Sequence, residues 1–122
     1  GHGLLPDSCN LVVCNRYDNT DDKNHSIPWH ADDDPDLDET KEIATLSIGT
    51  SMAFLVRDKA EPKTTRMDMQ LPEGSVLLML PGFQERFEHS VPGRKYYREA
   101  SGARGARVLG PRVSLTFRSV IQ

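Results

Sequence analysis

Cysteine is scarce in this chain of 122 residues, which carries only Cys9 and Cys14. Their odd spacing in one extended segment points them to opposite faces of a strand, which excludes a bridge between them. Both read as small buried hydrophobes, and the expected setting is an intracellular, reducing compartment, the cytoplasm. Long apolar runs are missing too. The longest, Ser75–Leu80, reads as a buried strand and falls far short of the roughly 20 residues of a membrane helix, so no membrane contact is expected. The basic-then-apolar order of a leader is absent at Gly1-His2-Gly3. Residues 1–9 therefore read as a tail or an expression remnant, and residues 10–122 as one domain. No window holds a helical period either.

Charge is present in quantity but unevenly placed. Residues 1–61 hold 5 Lys/Arg against 13 Asp/Glu, whereas residues 62–122 hold 10 against 5. A polarised surface follows, although for any single run solvated loops of either sign are the better account than a binding face.

Short extended segments fill most of the chain, punctuated by Pro and Gly. Strands are expected over Asn10–Tyr17, Ile27–Asp32, Glu42–Ile48, Ser51–Arg57, Arg66–Leu71, Ser75–Leu80, Phe87–Val91 and Pro111–Ile121. Gly49-Thr50 reads as a hairpin turn between two of them. About eight short strands in one small domain predict a mostly β fold, a double-sheet barrel or sandwich, with short helical or irregular insertions. Gly93–Gly110 is left as a long loop.

His30 and Asp32, two apart in an extended segment, share a face. One imidazole and one carboxylate so placed supply two corners of a 2-His-1-carboxylate site, which suits ferrous iron because it leaves coordination positions open. His-x-Asp alone is weak, since a surface histidine in an acidic loop gives the same pattern. A third ligand must come from a later strand, and His89 in Phe87–Val91 is the candidate. The last strand carries more information. Val113, Leu115 and Phe117 form one face; Arg112, Ser114, Thr116 and Arg118 form the other. On an edge strand the arginines would be solvated. Inside a barrel they would need anions, and a dicarboxylate supplies two that guanidinium groups bind in bidentate fashion.

Six elements then resemble one family in order and spacing. They are Asn15-Arg16-Tyr17, His30-Ala31-Asp32, Ile43–Gly49, Gly74–Met79, His89 and Arg112–Arg118. Together they resemble the AlkB family of Fe(II)- and 2-oxoglutarate-dependent dioxygenases, from about Asn10 onward. Pro81-Gly82-Phe83-Gln84 is similar to the compact AlkB domains of RNA-virus polyproteins, for which the compartment would be a host cytoplasm.

The resemblance implies a double-stranded β-helix, or jelly roll. It implies Fe(2+) on His30, Asp32 and His89, with 2-oxoglutarate and O2 as cosubstrates. Arg112 would hold the distal carboxylate, and Asn15, Tyr17, Ser114, Thr116 and Arg118 would complete the pocket. Ser114 stands where many relatives carry Asn. Asp34 and Trp29 would face substrate, although Asp34 is equally read as a solvated carboxylate. Relatives carry a nucleotide-recognition region ahead of the Asn-x-Tyr strand. Here substrate is held by other loops, or that region has been trimmed off.

The expected reaction is oxidative demethylation of N-methylated bases, of the 1-methyladenine or 3-methylcytosine type, in single-stranded RNA or DNA, with RNA favoured. Arg94, Lys95, Tyr96, Tyr97, Arg98, Arg104 and Arg107 could track phosphates, against an acidic pI of 5.8. The alternatives are a protein, lipid or small-molecule substrate for the same chemistry, and a catalytically silent module. A monomer is the default.

Overall fold

The computed structural model describes residues 9–18, 25–93 and 111–121. Eight strands and one helical turn run in the order β1 (Leu11–Asp18), β2 (Ile27–His30), β3 (Ile43–Gly49), β4 (Met52–Asp58), β5 (Thr65–Leu71), β6 (Val76–Met79), α1 (Phe83–Arg86), β7 (Phe87–Val91) and β8 (Pro111–Arg118). The basic segment from Arg94 to Arg107, expected to track phosphates, lies outside the described residues.

The strands form two four-stranded sheets, ordered β1-β8-β3-β6 and β2-β7-β4-β5. Every pairing between them is antiparallel. Each strand of the first half pairs with its mirror counterpart in the second: β1 with β8, β2 with β7, β3 with β6, β4 with β5. A long antiparallel ribbon folded at β4–β5 and wound on itself gives this order, which defines a double-stranded β-helix. The expected jelly roll is therefore present, with eight strands among the described residues.

Gly49-Thr50 does not close a hairpin, contrary to the local turn signal. β3 and β4 lie in different sheets, and the chain crosses between them here. Gly49 has φ +95°, and a Cβ on it would meet the Pro111 carbonyl oxygen at 2.5 Å. The same carbonyl accepts a hydrogen bond from the Thr50 amide at 3.0 Å. Glycine is thus required by a close approach to β8 rather than by a two-residue turn.

Polar and apolar faces are inverted in the first sheet, and this positions the site. Arg112, Ser114 and Thr116 of β8 are buried, while Val113, Leu115 and Phe117 are only half-buried. β8 lies between β1 and β3, so the edge-strand reading with solvated arginines does not hold. On β1 the inward positions are Val13, Asn15 and Tyr17, which leaves Cys14 exposed on the outer face and Cys9 half-buried. The expectation that both cysteines are buried is corrected by that alternation; both are free thiols. β6 departs as well. At the sheet edge Leu78 is 43% and Leu80 62% exposed, so this segment is not the buried strand its apolar run suggested.

The hydrophobic core lies between the sheets. Met52, Phe54, Val56, Leu71, Met79 and Val91 are buried there, with Tyr17 and Ile43 closing it from the first sheet. Burying one such large side chain stabilises the fold by about 1.5–3 kcal/mol. Past β8 the chain is tied back to the loop that follows the His-x-Asp segment. Leu37 bridges Val120, the Asp38 amide donates to the Ser119 carbonyl at 2.8 Å, and the Ile121 amide donates to that of Asp36 at 2.7 Å.

Candidate metal and cosubstrate site

His30 ends β2 and pairs across the strands with His89 of β7. Asp32 lies two residues past the end of β2, so the strand is shorter than the expected Ile27–Asp32. The geometry survives that difference. His30 Nε2 lies 3.4 Å from Asp32 Oδ1, and His89 Nε2 lies 3.7 Å from Asp32 Oδ2. The two imidazole centroids are 4.3 Å apart. Among the described residues these three form the one group of His, Cys, Asp or Glu that could hold a metal, with ligand atoms within 4.8 Å of one another. Two cis ligands about 2.1 Å from a metal stand about 3 Å apart, so the three side chains are near the spacing a bound divalent ion would need.

Each ligand is held from behind. His30 Nδ1 lies 2.8 Å from the Pro28 carbonyl oxygen, which can only accept, so Nδ1 carries a proton and Nε2, turned toward Asp32, is the nitrogen that takes up either a second proton or a metal. His89 is 5% exposed, and Phe54 stacks on its ring at 5.2 Å. The Asp32 backbone amide donates to Gln84 Oε1 at 2.8 Å.

The electrostatics separate the two histidines. Hydrogen bonding to Asp32 raises the pKa of His30, against partial burial. Burial pushes His89 down to about 4. His89 is therefore neutral at pH 7, and its approach to Asp32 is that of a ligand rather than of an ion pair. Burial pushes the Asp32 carboxyl up, but the bond from His30 and the charge of Arg118 outweigh it and hold the pKa below the ordinary value.

The second half of the site lies along β8. Asn15, Tyr17, Arg112, Ser114, Thr116 and Arg118 line one small cavity with the three ligand residues. Arg112 is 1% exposed; its Nη2 donates to Ser47 Oγ at 2.8 Å and its guanidinium lies 5.0 Å from the Tyr17 ring centroid. Arg118 Nη2 is 3.5 Å from Asp32 Oδ1, while its buried Nε has no hydrogen-bond partner among the described residues. Two guanidinium charges thus face the cavity against one carboxylate. A divalent metal adds two positive charges, and a dicarboxylate offsets two.

Not every expected residue is brought to this cavity. Ile27 and His30 both line it, with an irregularity in the β2–β7 register between them. Trp29 is not in its lining; its ring packs on the core and lies 4.4 Å under the Arg57 guanidinium, itself paired with Glu88 at 2.9 Å. Trp29, expected to face substrate, thus stands outside the metal cavity. Asp34 lines a larger cavity of about 570 Å³, which shares Asp32 with the metal side and is walled by Leu37, Glu39, Gln84 and Ile121 among others.

Several contributors carried no individual signal in the sequence. Ser47 holds Arg112, Thr45 Oγ1 lies 3.4 Å from Thr116 Oγ1, and Phe54 stacks on His89. Ser47 and Thr45 stand directly opposite Ser114 and Thr116 in the β3–β8 register. Knowledge of that pairing would have found them; residue type alone could not.

A jelly roll bearing two histidines, one carboxylate and two inward arginines defines a class of metal-dependent oxygenase, and relatives agree. The sequence profile of the 2OG-Fe(II) oxygenase superfamily matches residues 2–118. The chain is 35% identical over 118 residues to the human alpha-ketoglutarate-dependent dioxygenase alkB homolog 3, covering 91% of this chain and 36% of that protein. It is 36% identical over 118 residues to the mouse DNA oxidative demethylase ALKBH2, covering 92% and 44%. The solved structure of OsALKBH1 superposes with a TM-score of 0.62 at 21% identity, over 94% of this chain and 50% of that one, a likeness of fold. The chain belongs to the 2OG-Fe(II) oxygenase superfamily and, within it, to the AlkB family. It spans less than half the length of these two curated relatives.

The superfamily implies ferrous iron and 2-oxoglutarate, and the residues fit both. Neutral His89, His30 with its Nε2 directed inward and ionised Asp32 suit a divalent cation. The buried Arg118 Nε and the enclosed Arg112 suit a dianion.

Proposed function

We propose that this chain carries Fe(II)- and 2-oxoglutarate-dependent oxidative demethylation of N-methylated nucleobases in single-stranded RNA or DNA. The observation that carries the reading is one cavity lined by His30, Asp32, His89, Arg112 and Arg118. The name of the ALKBH2 relative, a DNA oxidative demethylase, supports the substrate class.

When bound, iron and 2-oxoglutarate together activate O2, and decarboxylation to succinate drives oxidation of a substrate C–H bond. The protein's residues prepare that chemistry. Pro28 fixes the tautomer of His30, and burial keeps His89 unprotonated. Arg112, backed by Ser47 and Tyr17, holds the distal carboxylate of the cosubstrate. Arg118 neutralises negative charge beside Asp32, while Asn15, Ser114 and Thr116 supply polar contacts along the cosubstrate. Asp34 lies two residues beyond Asp32, in the wall of the larger cavity, where its carboxylate would meet a methylated base. Oxidation of the methyl group ends in loss of formaldehyde and an unmodified base.

The test is incubation with ferrous iron, 2-oxoglutarate and single-stranded DNA and RNA oligonucleotides carrying 1-methyladenine or 3-methylcytosine. Formaldehyde and succinate in equal amounts are expected from at least one oligonucleotide. Succinate without formaldehyde from any of them would move the substrate to another chemical class.

A further inference from the structure

Asp32 differs from its partner ligands in one respect. His30 and His89 sit on paired strands, whereas Asp32 lies past the end of β2, where no ladder hydrogen bond fixes its backbone. Its amide is held from far along the chain instead, by Gln84 Oε1 at 2.8 Å. An amide N–H can only donate, so the oxygen end of the Gln84 carboxamide must face it. The nitrogen end then points away, and Nε2 donates to the Met79 sulfur at 3.4 Å. The carboxamide is therefore oriented at both ends.

Gln84 belongs to α1, the four-residue turn between β6 and β7. The preceding residue, Phe83, packs against the same site, with its ring 6.0 Å from that of His89 and 5.2 Å from that of Phe87. The turn enters through Gly82 at φ +93° and is closed by a bond from the Phe83 amide to the Leu80 carbonyl at 3.1 Å. Two adjacent residues of one short turn thus meet two of the three ligand residues, Gln84 through its side-chain oxygen on the Asp32 amide and Phe83 through its ring beside His89.

We infer that Gln84 is a positioning residue that sets Asp32 in the metal triad, with α1 as the brace between the loop carrying the carboxylate and the strand carrying His89. The inference rests on the metal-site reading above. Groups that orient ligands without touching the metal are commonly worth roughly 10–100-fold in metal affinity. A free loop would let the Asp32 carboxylate turn toward Arg118 alone, 3.5 Å away, at the expense of its place between the histidines.

The test compares Gln84→Leu, which removes the acceptor, with Gln84→Glu, which keeps an acceptor oxygen for the Asp32 amide. Cobalt(II) is titrated into each metal-free chain and followed by its visible absorption, with the melting temperature of each metal-free chain measured alongside. Gln84→Leu is expected to weaken cobalt binding about tenfold and alter the cobalt spectrum, with melting within about 2 °C of the parent. Gln84→Glu is expected to bind within about threefold of the parent and to keep its spectrum. Parent-like affinity and spectrum in Gln84→Leu would overturn the inference alone. Should Gln84→Leu fail to fold, Gln84→Glu decides: folded with parent-like binding supports the role, folded with binding lost overturns it. A parent chain that binds no cobalt would overturn the metal-site reading itself.

Discussion

His89 shows how one side chain is tuned by its surroundings. Stacked on Phe54 and buried, it has its pKa pushed to about 4 from 6.5. The folded chain therefore keeps it neutral where the unfolded chain would protonate it. Stability of the metal-free protein should fall as pH drops from 6.5 through about 4. The contribution of this one group cannot exceed about 1.4 kcal/mol per pH unit. Denaturant titrations across that window should show a flatter slope for His89→Phe than for the parent. His30 works in the opposite sense. Its raised pKa contributes stability below 6.5 that is lost as pH climbs past the folded value. A metal must displace that proton, so affinity for a divalent cation should increase through neutral pH until His30 is fully deprotonated. The three ligand residues were legible in the sequence because metal chemistry restricts residue type. Gln84 was not legible as a partner of Asp32, since a glutamine 52 positions away carries no local mark of what it holds.

At the scale of elements, β8 decides the site. Its alternation was plain in the sequence, but which face turns inward is a property of the sheet, and a polar face is normally exposed. Burying Arg112, Ser114 and Thr116 is tolerable because Ser47, Thr45 and Tyr17 meet them from neighbouring strands. Strand positions agreed with expectation to within a residue or two, apart from β8, which ends three residues early. Pairing did not follow from local turn signals, as Gly49 shows: it links two sheets rather than two partners in one. Gly49→Ala should cost about 2 kcal/mol or more in chemical denaturation, from positive φ together with the clash against the Pro111 carbonyl. A cost below about 0.5 kcal/mol would show that the crossing relaxes easily.

Across the whole molecule, the wound ribbon brings together groups far apart in the chain. Asn15 and Tyr17 come from one end, Arg112 to Arg118 from the other, and His30, Asp32 and His89 from between. No single motif specifies the cavity; its order along the chain does, which is why six weak elements in sequence pointed to one family. The same winding explains the misjudged burial of Cys14 and Leu78, whose faces turn outward once both sheets are assembled. The central claim is that the arginines on β8 make this a site for a dicarboxylate beside a metal. Calorimetric titration of manganese, and then of 2-oxoglutarate, into the parent chain and Arg112→Ala tests it most directly. Losing a buried charge-assisted pair should weaken 2-oxoglutarate binding at least about tenfold while manganese affinity stays within about threefold. Equal loss of both ligands, or unchanged 2-oxoglutarate binding, would contradict it.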